Sequence, residues 1–143
     1  MTLLVATPRG VWADRRVSGE ARRFAPERKV FSNALGLVAG FCGDNSKCVR
    51  ASERFLHDPD ASLQDLADLS DGLMVTPQGR IYELWGGVVS RRRNVACHGS
   101  GFCEAEAFLA GAKSTTDRTI RRLFRYVFRV RTDCGDGIDF RGV

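Results

Sequence analysis

The first candidate for chemistry is the threonine directly after the initiator methionine, in the opening stretch MTLLVATPRGVWADRR. Methionine removal is usual before a residue as small as threonine, and it gives Thr2 a free α-amine beside its hydroxyl. The intrinsic pKa of an α-amine lies near 8, so this amine can accept a proton near neutral pH. A threonine paired with its own N-terminal amine is a known nucleophile–base arrangement, so the chemistry indicated is attack on an acyl carbon.

Such a nucleophile needs a cation, a carboxylate that holds the cation, and a backbone N–H that receives the oxyanion. Asp14 ends the run VWAD, and Lys29 is one of only three lysines amid many arginines. Lysine suits this role because its pKa responds to its surroundings, whereas arginine is always protonated. Gly43 follows the apolar run GLVAGFC and precedes a helical pattern, where an outward N–H can bind a developing negative charge.

The strands that must position these residues are indicated by apolar runs between turn residues. TLLVAT and VWAD predict a hairpin around PRG, and KVFS and GLVAGF predict a second strand pair. LMVT and RIYELW predict a third hairpin around PQG, and RNVACHG predicts a further strand that ends in HGSG. FRVRTD and GIDFRG are both strand-like.

Helical spacing appears between these strands. Cys48, Ala51, Phe55 and Leu56 predict a helix capped by Asp44 or Asn45. A short second helix is predicted over ASLQDLADL, where Ser62 precedes Asp65 by three residues as in a capping box. Two later helices carry the apolar positions Ala105, Phe108, Leu109 and Ala112, and Ile120, Leu123, Phe124 and Val127.

This order of hairpins, helices, a hairpin, a strand and helices indicates an α+β protein in which the helices are segregated from locally paired strands. Two stacked antiparallel sheets, each covered by helices, accommodate it. We expect one domain over residues 1–143. The absence of a long apolar run or signal-peptide pattern and the five cysteines without a CxxC pair predict a soluble protein in the reducing cytoplasm. Whether a host or a virus infecting bacteria encodes it stays open.

Several motifs together resemble the proteasome β-subunit family of N-terminal-nucleophile (Ntn) hydrolases, especially the bacterial HslV and Anbu types. MTLLVA is similar to the family's Met-Thr start, and ADRRVSG to its aspartate-x-arginine stretch. RKVF and GLVAGFCGD resemble the lysine strand and the strand that ends in the oxyanion glycine. HGSG resembles the glycine-serine-glycine turn, and TDCGDG the late aspartate turn.

This resemblance implies a four-layer αββα sandwich and an active site built around Thr2. It implies that Asp14 and Lys29 orient and activate Thr2, and that the Gly43 N–H forms the oxyanion hole. Ser100 and Asp133 are implied to support the threonine amine. Two residues are implied to contact an extended peptide substrate, through the backbone of Ser18 and through a first specificity pocket floored by Phe41.

A threonine-type endopeptidase subunit of a self-compartmentalising protease is therefore the leading hypothesis. The resemblance implies polypeptide substrates, a homo-oligomeric ring and an AAA+ ATPase as partner, and it implies no cofactor. The alternative is a catalytically silent assembly subunit with the same fold. A small basic nucleic-acid-binding domain is the least favoured of the three.

Other patterns have plainer interpretations. His57, Cys97, His98 and Cys103 lack the close ligand pairs of zinc sites, so we expect no metal. The net charge of +5 comes from arginines, several of which lie on one face of the last predicted helix. These could bind phosphate groups. We favour a solvated face, or one that meets acidic groups of neighbouring subunits.

Overall fold

The computed structural model describes residues 2–16 and 28–143. Its first sheet is antiparallel, with the strand order β8-β1-β2-β9. The strands are β1 (Leu3–Thr7), β2 (Gly10–Asp14), β8 (Ala96–Gly99) and β9 (Ile138–Gly142). The predicted first hairpin is confirmed, with Leu4 opposite Ala13 and Thr7 opposite Gly10. This sheet brings the start of the chain beside HGSG and the end of β2.

The second sheet contains five antiparallel strands in sequence order. They are β3 (Val30–Ser32), β4 (Val38–Cys42), β5 (Asp71–Val75), β6 (Ile81–Trp85) and β7 (Val88–Arg92). The second strand pair and the third hairpin are thus confirmed. Strand β7 was not predicted, because this edge strand is mostly exposed and its sequence VVSRR lacks an alternating apolar face.

Four helices cover the two sheets. Helices α1 (Asn45–His57) and α2 (Leu63–Leu69) pack on the second sheet, and α3 (Phe102–Ala112) and α4 (Asp117–Val130) pack on the first. The Asp44 carboxylate caps α1, and Ser62 and Asp65 form the predicted capping box of α2. These local hydrogen bonds satisfy amide groups that have no partner inside the helix.

Three apolar clusters hold the layers together. Leu4, Val11 and Leu73 belong to the cluster between the sheets. Trp12 and Phe124 belong to the cluster under α3 and α4, and other side chains fill the space under α1 and α2. Burial of each large apolar side chain contributes about 1.5–3 kcal/mol. The α+β architecture is confirmed as an αββα sandwich of two antiparallel sheets flanked by helices.

One sequence-based expectation was wrong. FRVRTD does not form a strand, because α4 continues to Val130 and the segment after it turns. The alternation of Phe128 and Val130 with arginines resembles a strand, but Val127 extends the buried helical face. Tyr126, on the same helix, is 39% exposed.

No helix within residues 2–16 and 28–143 combines the length and apolar character that crossing a membrane requires.

Candidate active site

The backbone of Thr2 lies just before β1, at the start of this interior strand of the first sheet. Thr2 is 8% exposed, and its carbonyl oxygen accepts a hydrogen bond from the Ser100 N–H at 2.9 Å. Gly99, in the HGSG turn, has a φ of +100°, and a Cβ there would lie 1.8 Å from the Thr2 oxygen. Glycine is therefore required at this position, since any side chain would displace Thr2.

The Asp14 carboxylate connects three segments of the chain around Thr2. Its Oδ1 accepts hydrogen bonds from the Leu3 N–H at 2.8 Å and from the Lys29 ammonium at 3.2 Å. Its Oδ2 accepts one from the Gly135 N–H at 3.2 Å. Asp14 is completely buried, and three donors compensate the loss of water around its charge.

Lys29 lies just before β3, with 10% of its side chain exposed. Its ammonium also donates to the Arg16 carbonyl oxygen. Because Asp14 binds both this ammonium and the Leu3 N–H, it places a positive charge beside the residue that follows Thr2. A buried charge interacts more strongly than an exposed one, so this arrangement can favour a developing negative charge nearby.

The late turn TDCGDG packs against the end of β2. The Gly135 carbonyl oxygen accepts hydrogen bonds from the Arg15 and Arg16 N–H groups at 3.0 and 2.9 Å. The Arg16 guanidinium also contacts the Asp136 carboxylate at 3.2 Å. These bonds fix the turn that supplies the Gly135 N–H to Asp14.

Ser100, whose N–H binds the Thr2 carbonyl oxygen, lies next to Asp133. A hydrogen bond from the Ser100 hydroxyl is one of the causes that lower the pKa of Asp133. The larger cause is Arg131, whose Nε and Nη2 lie 2.7 and 2.8 Å from the two oxygens of Asp133. This two-point ion pair lowers the pKa of Asp133 to about 2, so the carboxylate is charged at neutral pH.

Three residues of this region were missed by sequence reasoning. Arg131 is oriented by Glu104, whose Oε1 lies 3.2 Å from Arg131 Nη1. The Arg131-x-Asp133 spacing could have indicated the ion pair, but nothing local points to Glu104, which is 27 residues away. The Cys134 sulfur lies 3.6 Å from the Ser100 hydroxyl oxygen, and burial raises the pKa of this thiol, which favours its neutral form.

Gly43 lies immediately after β4, is exposed and has a φ of +116°. Burial raises the pKa of the preceding Cys42, and the positive charge of Lys29 opposes part of that rise. The end of β4 therefore lies within electrostatic range of Lys29. The oxyanion role of the Gly43 N–H stays a prediction.

Ser18 and Phe41 are the two residues predicted to contact the substrate. Ser18 lies outside the described residues. Phe41 is 3% exposed, faces α1 and packs on Phe55 with 6.2 Å between ring centroids. It lies on the face of β4 that is covered by helices, and its role as the floor of a specificity pocket stays a prediction.

The residues considered for zinc do not form a cluster. His98 binds Glu83 at 3.2 Å, and Cys97 is buried in the core under α3 and α4. Residues 2–16 and 28–143 contain no group of three His, Cys, Asp or Glu side chains that could hold a metal ion.

The structure thus brings five of the predicted residues into one connected region: Thr2, Asp14, Lys29, Ser100 and Asp133. Comparison with solved structures gives matches over the whole chain. Thiobacillus denitrificans BPH, solved in complex with epoxomicin, superposes with a TM-score of 0.76 at 13% identity, covering 100% of this chain and 98% of that one.

This is the proteasome-like Ntn-hydrolase fold. HslV from Trypanosoma brucei matches with a TM-score of 0.72 at 16% identity, over 98% of both chains. The Anbu complex of Pseudomonas aeruginosa, described as a helical assembly, matches with a TM-score of 0.73 at 15% identity, over 99% of this chain and 80% of that one. No family model and no curated protein sequence matches this chain.

The Ntn-hydrolase fold accounts for the arrangement of the sheets around Thr2. The Thr2 strand lies in the middle of the first sheet, between β8 and β2. Its neighbours therefore supply Ser100 from one side and Asp14 from the other. At these low identities the likeness shows the fold, which HslV and Anbu share, and the chemistry has to be argued from the residues of this chain.

Proposed function

We propose that this protein is a threonine-type endopeptidase subunit of a proteasome-like assembly, with Thr2 as its nucleophile after removal of Met1. The observation that carries the proposal is the Asp14 carboxylate, which accepts hydrogen bonds from both the Leu3 N–H and the Lys29 ammonium. A buried cation beside a chain-terminal threonine is what hydroxyl activation requires.

In the proposed first step, the Thr2 hydroxyl oxygen attacks the carbonyl carbon of a peptide bond. The hydroxyl proton passes to the α-amine of Thr2, and the positive charge of Lys29 stabilises the developing negative charge. The carbonyl oxygen becomes an oxyanion, and the Gly43 N–H donates to it. The tetrahedral intermediate then collapses, the C–N bond breaks, and the proton on the α-amine moves to the departing amine.

In the second step, water hydrolyses the ester between Thr2 and the acyl fragment. The α-amine takes a proton from the water, whose oxygen attacks the ester carbon, and the proton returns to the Thr2 oxygen as the ester bond breaks. Ser100 and Asp133 support the amine through these transfers, and Arg131 keeps Asp133 charged. The proposed steps use groups of the chain and one water molecule, and they need no cofactor.

Polypeptides are the proposed substrates, with Ser18 pairing to the extended chain and Phe41 flooring the first pocket. Self-assembly is proposed because the similar Anbu complex is a helical assembly and because the motifs of this chain resemble HslV. A closed or helical homo-oligomer would confine the nucleophile. An AAA+ ATPase partner would supply unfolded chains.

The test is hydrolysis of a fluorescently labelled unfolded polypeptide, with the intact mass of each preparation measured in parallel. A chain that has lost one methionine is expected to hydrolyse the polypeptide. Thr2→Ala should abolish hydrolysis, whereas Thr2→Ser, which keeps a hydroxyl and an amine, should retain part of it. Equal hydrolysis by Thr2→Ala would overturn the proposal. No hydrolysis by correctly processed wild type would favour the alternative, an assembly subunit without activity.

A further inference from the structure

The outer face of α4 carries five arginines: Arg118, Arg121, Arg122, Arg125 and Arg129. All five are exposed, and none forms an ion pair with any acidic side chain of residues 2–16 and 28–143. The one acidic residue of α4, Asp117, is paired with Arg9 instead, at 2.7 Å. The face therefore concentrates positive charge that the described structure does not neutralise.

The spacing of these arginines makes a continuous stripe. Arg118, Arg122, Arg125 and Arg129 follow one another by four, three and four residues, which places them on one side of the helix. The eleven residue-to-residue steps from Arg118 to Arg129 span about 16 Å. Like charges at these spacings repel one another, so the stripe lowers rather than raises helix stability in the absence of an anion.

The stripe borders an open groove of about 700 Å³ along α4. Besides the five arginines, the groove is lined by Phe108 of α3 and Tyr126 of α4, whose ring centroids lie 5.6 Å apart. A smaller depression of about 290 Å³ continues it past Phe108 and Arg122 to Ala112 and Thr119. The groove thus combines cationic side chains with an aromatic pair that is partly open to solvent.

We propose that this arginine groove binds single-stranded nucleic acid. Each nucleotide carries one phosphate, so a short strand supplies an unbroken row of negative charges along the arginine stripe. The exposed ring of Tyr126, backed by Phe108, offers an apolar surface on which a base can stack. Cationic grooves with aromatic floors are the usual form of sites that bind single strands without strong sequence preference.

Two other occupants fit the groove less well. A second copy of this chain contains no two adjacent acidic residues, so it offers no continuous acidic segment to match the stripe. An acidic polypeptide would need a run of adjacent acidic residues to match five cations. The backbone of a nucleic acid carries one negative charge per nucleotide whatever its sequence. The proposal is independent of the peptidase proposed above, and the Thr2→Ala chain is expected to bind nucleic acid as wild type does.

The test is fluorescence anisotropy of labelled 20-nucleotide oligo-dT and oligo-U, titrated with the purified full-length protein between 50 and 200 mM salt. Four to five phosphate contacts predict a slope of about −3 in a plot of log K against log salt concentration. Equal affinity for the two strands would mean that the protein contacts only phosphates and bases. Higher affinity for oligo-U would mean that it also contacts the 2′-hydroxyl groups. Both results support the proposal.

Charge-matched variants make the test specific. Arg122→Gln with Arg125→Gln should weaken binding at least about tenfold at low salt and reduce the slope by about 1.4. Arg50→Gln with Arg91→Gln removes the same charge from exposed positions on α1 and β7, and should change affinity by less than about threefold. Tyr126→Leu should weaken binding by about fivefold or more through lost stacking. Thermal unfolding of each variant verifies that the fold is intact.

Three results would overturn the proposal. The first is affinity that the groove variant and the control variant reduce equally. The second is a salt slope near zero. The third is competition by poly-glutamate at equal charge concentration that displaces the oligonucleotide as well as unlabelled oligo-dT does, which would assign the groove to acidic polypeptides.

Discussion

The Asp14 Oδ1 atom lies 3.2 Å from the Lys29 Nζ atom, in an ion pair whose carboxylate is completely buried. The same oxygen accepts the Leu3 N–H, and the other carboxylate oxygen accepts the Gly135 N–H. One side chain therefore joins the start of β1, the segment before β3 and the late turn. Both the stability of this corner and the proposed chemistry depend on it.

The stability contribution of the pair can be measured with a double-mutant cycle. Asp14→Asn removes the carboxylate that forms an ion pair with Lys29, and Lys29→Met removes the cation from beside the buried carboxylate, so each should lower the free energy of unfolding by about 3–5 kcal/mol. The double variant removes both charges, and its loss should be smaller than the sum of the single losses. Chemical denaturation measures all four chains, and additive losses would show that the two charges do not interact.

Activity should respond differently from stability in the same variants. The double variant should lose less stability than the sum of the two single losses, but it has no ammonium near Thr2. We therefore expect its peptide hydrolysis to stay at least a hundredfold below wild type. Measuring hydrolysis at a temperature where all the chains are folded separates the two effects. Recovery of hydrolysis together with stability would assign the pair a purely structural role.

Acid should weaken the fold through Asp133. Its pKa is about 2 in the folded chain, mainly because of the Arg131 guanidinium, against about 3.9 for an ordinary aspartate. A lowered folded pKa means that this contribution is fully present above about pH 4 and is lost as pH falls toward 2. The free energy of unfolding, followed from pH 5 to pH 2, should therefore fall less steeply for Asp133→Asn than for wild type.

A matched control for this pH dependence is Asp60→Asn, because Asp60 is exposed and forms no ion pair with the described residues. This variant should follow the wild-type curve. If Asp60→Asn flattened the acid dependence as much as Asp133→Asn, the Arg131 ion pair would not be its source.

The oxyanion role of Gly43 can be tested with a pair of glycine substitutions. A Cβ at Gly43 meets no atom within 4 Å, but its φ of +116° is unfavourable for any other residue. Gly43→Ala should therefore cost about 1–2 kcal/mol of stability, by the usual penalty for a left-handed backbone, and reorient the N–H that receives the oxyanion. Hydrolysis should fall about a hundredfold.

Gly86→Ala is the control for this prediction. Gly86 also has a positive φ, +58°, and open space around its Cβ position, but it lies in the turn between β6 and β7. Its substitution should cost similar stability and leave hydrolysis within about threefold of wild type. Equal effects of the two substitutions on hydrolysis would remove Gly43 from the proposed mechanism.

Features with local causes were predictable from the sequence. Asp44 and Ser62 identify helix starts because their side chains bind amides only two or three residues away. The first hairpin follows from two apolar runs around a short turn. In both cases the residues that cause the structure lie inside the segment that forms it.

Features that depend on distant partners were not predictable in this way. Strand β7 has little apolar alternation of its own. It forms because it pairs with β6, with Val88 opposite Trp85. The helical state of Phe128 and Val130 depends on packing of α4 over the first sheet. Glu104, which orients Arg131, becomes a neighbour only when α3 and the end of α4 meet.

The most direct measurement compares hydrolysis of an unfolded polypeptide by two chains that differ by a single glycine placed before Thr2, each released from a cleavable extension and verified by intact mass. The chain that begins at Thr2 should hydrolyse the polypeptide, and the glycine-extended chain should be at least a hundredfold slower with the same melting temperature, because its threonine amine is blocked. Equal rates for the two chains would contradict an N-terminal threonine nucleophile.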